Sequence, residues 1–351
     1  MMKNILKVCV IATIGAMIFS LFKAPIPWLL GPIFSLLACQ FLYKGSLHWP
    51  ENLRNIGLVI LGLVIGQQFN LALFQHLGTL LVYMFLMNVA LIGSSVGLSY
   101  VLSKWSKLSF KSMILGTIPG GIAQIIVFAE EEKDTDLAAI TYFHMTRLLL
   151  VVIIVPFIVT GDVTTEIEPS FHITFGLIGF ILITWFFSVL AKRIHMPVAE
   201  FITAILIAIG FSFTPFPFPE MPSYLMNFAL LCIGSHIGLA LKPHMIQLPT
   251  RYLLAGVFGA VALLALTYGM SFILVSVLDF SFATSFLSTA PGGLDQMVLL
   301  ADASGADVST VTVFQIFRLL FIFLMVMPML RFYYKKIAKN KSSKQTIEEA
   351  Q

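Results

Sequence analysis

The 351-residue chain is 58% hydrophobic and 11% charged, with a formal net charge of +4 and a mean hydropathy of +0.95. Soluble chains have about a quarter of their residues charged, so the composition excludes a soluble globular protein and specifies a polytopic helical membrane protein. The small basic excess lies in short loops and the tail and is no nucleic-acid signature; Cys9, Cys39 and Cys232 sit in apolar stretches without CxxC spacing, indicating neither a disulfide framework nor a zinc site.

Apolar runs long enough to span, about 20 residues each, fall at roughly 4–22, 26–43, 53–69, 78–102 and 138–160, with a broken segment at about 108–129. Met1 to Ala24 has the lysines and apolar run of a signal peptide. A matching segment, Ile173 to Leu190, lies where no signal peptide can be, so the first is expected to be retained as a helix. The second half repeats the series at roughly 173–191, 197–213, 223–241, 252–278 and 309–330, broken at about 281–301.

The breaks carry the chemistry. Gly116-Thr117-Ile118-Pro119-Gly120-Gly121-Ile122-Ala123-Gln124 recurs as Ser288-Thr289-Ala290-Pro291-Gly292-Gly293-Leu294-Asp295-Gln296, offset by 172 residues. Proline ends the preceding helical ladder, and paired glycines tolerate the backbone angles of a turn. Paired breaks in the two halves of a membrane chain point to a transporter's binding site; two kinked but continuous helices are the alternative. Asn55/Asn227, Gly62/Gly234, Gly66/Gly238 and Gly97/Gly269 keep the same offset, while Asp136/Asp307 and Arg147/Arg318 align at 171.

Cytoplasmic loops are enriched in lysine and arginine. Five spans plus one re-entrant segment per half put all basic residues except Lys23 in the cytoplasm, leaving Arg147 and Arg318 within the membrane. The halves carry their charge in complementary loops: Lys104, Lys107 and Lys111 correspond to Ser276, Asp279 and Ala283, whereas Lys192, Lys242 and Arg251 correspond to Ser20, Asn70 and Thr79. That alternation predicts inverted-topology repeats. The expected fold is all-α: a first membrane repeat (1–160), a linker outside (161–171), a second repeat (172–333) and a basic cytoplasmic tail (334–351), with both termini cytoplasmic in a bacterial inner membrane.

Ionisable groups inside spans are functional candidates by default. Arg147 and Arg318 read as a shared anion contact or as structural caps and salt bridges. Asp295 replaces Ala123 of the first half; it reads as a coupling site for a proton or sodium ion, or as a cap or arginine partner. The solute-binding set is Thr117, Pro119, Gly120, Gly121, Gln124 and Arg147 with Ser288, Thr289, Pro291, Gly292, Gly293, Gln296 and Arg318. His144 reads as a polar helix–helix contact, Gln67 and Gln68 as interfacial, and Glu130 to Asp134 as a solvated loop. No metal pair, GxSxG or P-loop is present, so neither an enzyme nor a cofactor is expected.

The paired Thr117-Ile118-Pro119-Gly120-Gly121/Gln124 and Thr289-Ala290-Pro291-Gly292-Gly293/Gln296 segments resemble the AbrB-type membrane protein family over nearly the whole chain. The family is distinct from the soluble DNA-binding regulator of the same name. The resemblance implies the duplicated architecture and two inherited labels, regulator of gene expression and ammonia monooxygenase; the latter needs a metal centre these residues do not offer. The reading that follows is a secondary transporter or permease of a small anionic or carboxylate-bearing solute, its halves rocking around the two breaks. The alternative is a membrane-embedded sensor that affects gene expression indirectly. Expected partners are the solute, a coupling proton or sodium ion, the bilayer and a second copy in a homodimer; direct nucleic-acid binding is not expected.

Overall fold

The computed structural model of the chain describes residues 2–42, 47–69, 77–132, 135–159, 175–194, 196, 198–214, 218–219 and 221–334. Expectations for the 161–171 linker, Lys133, Asp134 and the tail beyond Tyr334 fall outside the described residues. Those residues are helical, with no strand among them. The first half gives α1 (Met2–Leu21), α2 (Pro27–Leu42), α3 (Glu51–Gln67), α4 (Leu77–Ser106), α5 (Phe110–Thr117), α6 (Ile122–Glu131) and α7 (Leu137–Val159). The second gives α8 (Phe175–Arg193), α9 (Ala199–Ser212), α10 (Ser223–Gly238), α11 (Thr250–Leu278), α12 (Phe282–Thr289), α13 (Leu294–Ala303) and α14 (Val308–Phe321). A π turn, Ile322–Val326, carries α14 on to Tyr334.

Helices α1, α4, α7, α8, α11 and the extended α14 are long and apolar enough to cross a membrane. The chain is a polytopic membrane protein. The spans expected near 26–43, 53–69, 197–213 and 223–241 are shorter than a full 20-residue crossing: α2, α3, α9 and α10 have 16, 17, 14 and 16 residues. Outward faces are apolar, as with Leu6, Val10 and Met17 on α1 and Leu182 and Phe186 on α8.

Both expected breaks are present. Helices α5 and α12 have 8 residues each, α6 and α13 have 10 each, and all four boundaries keep the 172 offset. Each pair folds back on itself. At the base of the first hairpin Asp136 N donates to Ser112 Oγ at 2.8 Å, and Lys111 Nζ meets Glu132 Oε2 at 3.0 Å. At the base of the second Asp307 N donates to Thr284 Oγ1 at 2.9 Å. Each hairpin therefore enters and leaves at one end of the bundle; the continuous-helix alternative does not hold. Glu130 and Glu131 belong to α6 and Glu132 is ion-paired, so this acidic run is not simply a solvated loop.

The packing does not follow the two halves. Helices α1, α2, α3, α8, α9 and α10 pack among themselves, with α3 on α9 and α2 on α10. Helices α4 to α7 and α11 to α14 form a second body around the hairpins, with α4 and α7 against α11. The principal packing between the bodies is α3 against α13, with a 3-10 turn at Pro243–Gln247 touching α7. Halves rocking as units would have to pull these helix pairs apart, so the bodies are the six-helix panel and the hairpin core, each drawing on both halves.

Glycines explain the cross-half pairing. A Cβ on Gly62 or Gly66 of α3 would lie 2.7 or 2.5 Å from the Cβ atoms of Ala204 or Ala208 on α9. A Cβ on Gly234 or Gly238 of α10 would lie 2.6 or 2.9 Å from the carbonyl oxygens of Leu29 or Ile33 on α2. Small residues let backbones approach, which membrane helices need because lipid gives them little hydrophobic drive to associate.

Candidate functional site

A helix that stops inside a membrane leaves carbonyls without amide partners, each costing several kcal/mol if unmet. At the first break Ile118 N donates to Ile114 O and Gly120 N closes back on Ile118 O at 2.8 Å. At the second, Gly292 N closes on Ala290 O at 2.9 Å. The next helix of each core half supplies the remaining donors. Arg147 Nη1 donates to Ile118 O at 3.0 Å, and the His144 ring nitrogen Nε2 lies 2.9 Å from Leu115 O. Arg318 Nη1 donates to Ala290 O at 2.5 Å and its Nη2 to Gly292 O at 2.8 Å and to Gln315 Oε1. Gln315 Nε2 reaches Leu287 O at 2.6 Å. Thus His144 and Arg147 do at the first break what Gln315 and Arg318 do at the second.

The glycines are not there for their backbone freedom. Gly121 and Gly293 have φ of −67° and −73°, and Gly305 is the positive-φ glycine among the described residues. Space is the reason. A Cβ on Gly120 would meet Ile125 and Ile322 at 3.0 Å, and one on Gly292 would meet Met297 Cε at 2.6 Å and Val151 Cγ1 at 3.0 Å. Val151 and Ile322 each lie four residues beyond an arginine, so the turn after each arginine abuts the opposite half's tip. The two breaks converge through α7 and α14.

The other candidates divide. Thr117 Oγ1 donates to Met113 O at 2.9 Å and lies against Ser99 Oγ of α4; Thr289 Oγ1 bonds Thr267 O of α11 and Ser285 O at 3.2 and 3.1 Å. These hydroxyls fasten the hairpins to the long helices. Ser288 Oγ, buried, has no partner among the described residues. Gln296 Oε1 accepts from Gly293 N at 3.2 Å, the half of a capping box that a glycine N-cap permits. Gln124 is helical in backbone, its side chain lying outside what the structure describes. Pro119 and Pro291 supply the breaks by lacking an amide hydrogen.

Charge is concentrated at the breaks. Among the described residues Arg147, Glu200, Asp295 and Arg318 are the buried Arg, Asp and Glu side chains. Glu200 is ion-paired with Lys192 between α8 and α9. Among the described residues the other three have no ion-pair partner, and Arg147 Nε has no hydrogen-bond acceptor either. Asp295 lies three residues beyond the Gly292 carbonyl that Arg318 holds yet pairs with neither arginine, so its reading as an arginine partner is not borne out. A cavity of about 10 Å³, room for about one water, lies beside Arg147 between α5, α7 and α11. No group of three His, Cys, Asp or Glu side chains among the described residues is placed to hold a metal ion.

The family model described as Transition state regulatory protein AbrB matches residues 5–334. The chain belongs to this family. A relative named "Uncharacterized protein YhjN", from Bacillus subtilis (strain 168), is 26% identical over 371 aligned positions covering 96% of this chain and 95% of its own. Another, named "Putative regulator AbrB", from Escherichia coli (strain K12), is 24% identical over 325 positions covering 90% and 92%. The matched range takes in both hairpins and both arginines.

Sequence reasoning missed three contacts. Ser99 Oγ and the Thr267 carbonyl meet the hairpin hydroxyls, and the 172 offset of Ser95/Thr267 and Ser99/Ser271 was a readable signal for them. Gln68 Nε2 donates to Asp302 Oδ1 at 2.8 Å across the two bodies, and no sequence pattern announces it.

Proposed function

We propose that the protein is a secondary transporter or permease of a small anionic or carboxylate-bearing solute, which binds where the two broken hairpins converge. One observation carries this reading: two buried arginines hold the break carbonyls and have no carboxylate partner among the described residues. A buried charge left uncompensated is expensive, and an anionic solute supplies the missing charge. Helix α5 spans about 12 Å at ~1.5 Å per residue, under half of a ~30 Å hydrocarbon core. The hairpins are thus re-entrant segments with their tips near the midplane, the usual place for a transporter site. The halves are an inverted duplication, and the core moves against the panel to change the side of access. Asp295 binds the coupling proton or sodium ion.

The test is purified protein in liposomes, offered labelled organic acids and amino acids with and without proton or sodium gradients. Gradient-dependent uptake of a carboxylate is expected. Binding without uptake in correctly inserted protein would support the second reading, a membrane-embedded sensor that influences gene expression indirectly. The name of the Escherichia coli relative favours that reading.

A further inference from the structure

We infer that Asp295 sets the net charge of the solute the site accepts; this rests on the anion reading above. The three unpaired buried charges are two guanidinium groups and one carboxylate, and Arg318 lies within electrostatic reach of Arg147. Arg147 and Arg318 are fixed to opposite breaks by carbonyl bonds that leave their charge unneutralised. Asp295 stands in the first turn of α13, 7% exposed, with no hydrogen-bond or ion-pair partner among the described residues. Arg147 Nε and Ser288 Oγ are further buried polar atoms at these breaks, without a hydrogen-bond partner among the described residues.

The sum of those charges is +1. In a medium where an uncompensated charge costs several kcal/mol, a solute with one net negative charge neutralises the site. A dianion leaves it at −1 unless a cation joins Asp295. The site therefore takes a monoanion when the carboxylate is free, and a dianion together with one cation when it is occupied. Ala123 at the matching position of the first half removes any second carboxylate from this balance. Asp295 is a specificity-determining residue, and the coupling cation acts by changing which solute charge fits.

The experiment compares purified full-length protein with Asp295→Asn and Asp295→Glu at pH 8 in sodium-free buffer. Binding of butyrate against succinate, and of pentanoate against glutarate, is measured by calorimetry. Wild type and Asp295→Glu should favour the monoanion of each pair, and Asp295→Asn should favour the dianion, the ratio moving by about tenfold or more. Adding sodium should move the wild-type ratio the same way and leave that of Asp295→Asn unchanged. Carboxylate binding with the same ratio in wild type and Asp295→Asn overturns the inference while leaving the anion site standing. Failure of folded wild type to bind any of the four overturns both. Should Asp295→Asn not fold, wild type in sodium-free buffer decides: a preference for the dianion of each pair overturns the proposal.

Discussion

The two arginines occupy matching positions with unequal contacts. Arg318 bonds two break carbonyls and the Gln315 side chain, whereas Arg147 bonds Ile118 O and keeps an unpaired Nε. Lysine keeps the charge but loses the planar fork that bridges several acceptors. Arg318→Lys should therefore destabilise the protein by about 2–4 kcal/mol, one to two charged hydrogen bonds, and Arg147→Lys by about half as much. Thermal unfolding in detergent measures both, and equal losses would mean the carbonyl bonds do not carry the difference. His144 follows the same logic: its Nε2 meets Leu115 O where Gln315 meets Leu287 O, so His144→Gln should be tolerated at that contact.

Elements meet where side chains are smallest. Helices α3 and α10 each carry two glycines one turn apart, and all four face a helix of the other half. Gly93 and Gly97 of α4 also sit four residues apart, yet a Cβ on either has no atom within 4 Å. Identical spacing thus has opposite consequences. Gly234→Ala, whose Cβ would lie 2.6 Å from the Leu29 carbonyl oxygen, should force α10 from α2 and cost about 1–3 kcal/mol. Gly93→Ala should instead be neutral or slightly stabilising through helix propensity. Comparing the two melting temperatures tests this, and comparable losses would sink the packing argument. The hairpin bases add a second repeated device. Asp136 and Asp307 cap α7 and α14, accepting from Ala139 N at 3.0 Å and Ser309 N at 2.9 Å, while their own amides tie to α5 and α12.

At the scale of the molecule, the panel and core meet over an apolar boundary, with the Gln68–Asp302 hydrogen bond across it. An apolar boundary has few directional bonds to break, which suits one body sliding on the other. With Cys9, Cys39 and Cys232 replaced, cysteines at Gln68 and Asp302 joined by a short bifunctional thiol reagent should cut uptake to below about a tenth. A cleavable reagent should restore it. Full uptake after complete cross-linking would rule out movement of the core against the panel. The inversion of the halves has its own test: cysteines at Thr164 and Ser342 should label from opposite sides of the membrane. Labelling from one side would leave the halves parallel.

Sequence alone determined the membrane class, the helical content and the places of both breaks, because hydropathy and proline act locally and the 172-residue offset repeats them. It named Arg147, Arg318 and Asp295 because charge inside an apolar run is conspicuous whatever the fold. It did not determine which helices join, and its division into rocking halves fails on the packing of α3 with α9 and α2 with α10. Glycine spacing reads alike on α3 and α4; only the neighbour's position says which one is a contact. The roles of Gly120 and Gly292 likewise changed from turning the chain to making room for Ile322 and Val151. Tertiary structure alone decided these points, because a close approach belongs to two segments and neither records it by itself.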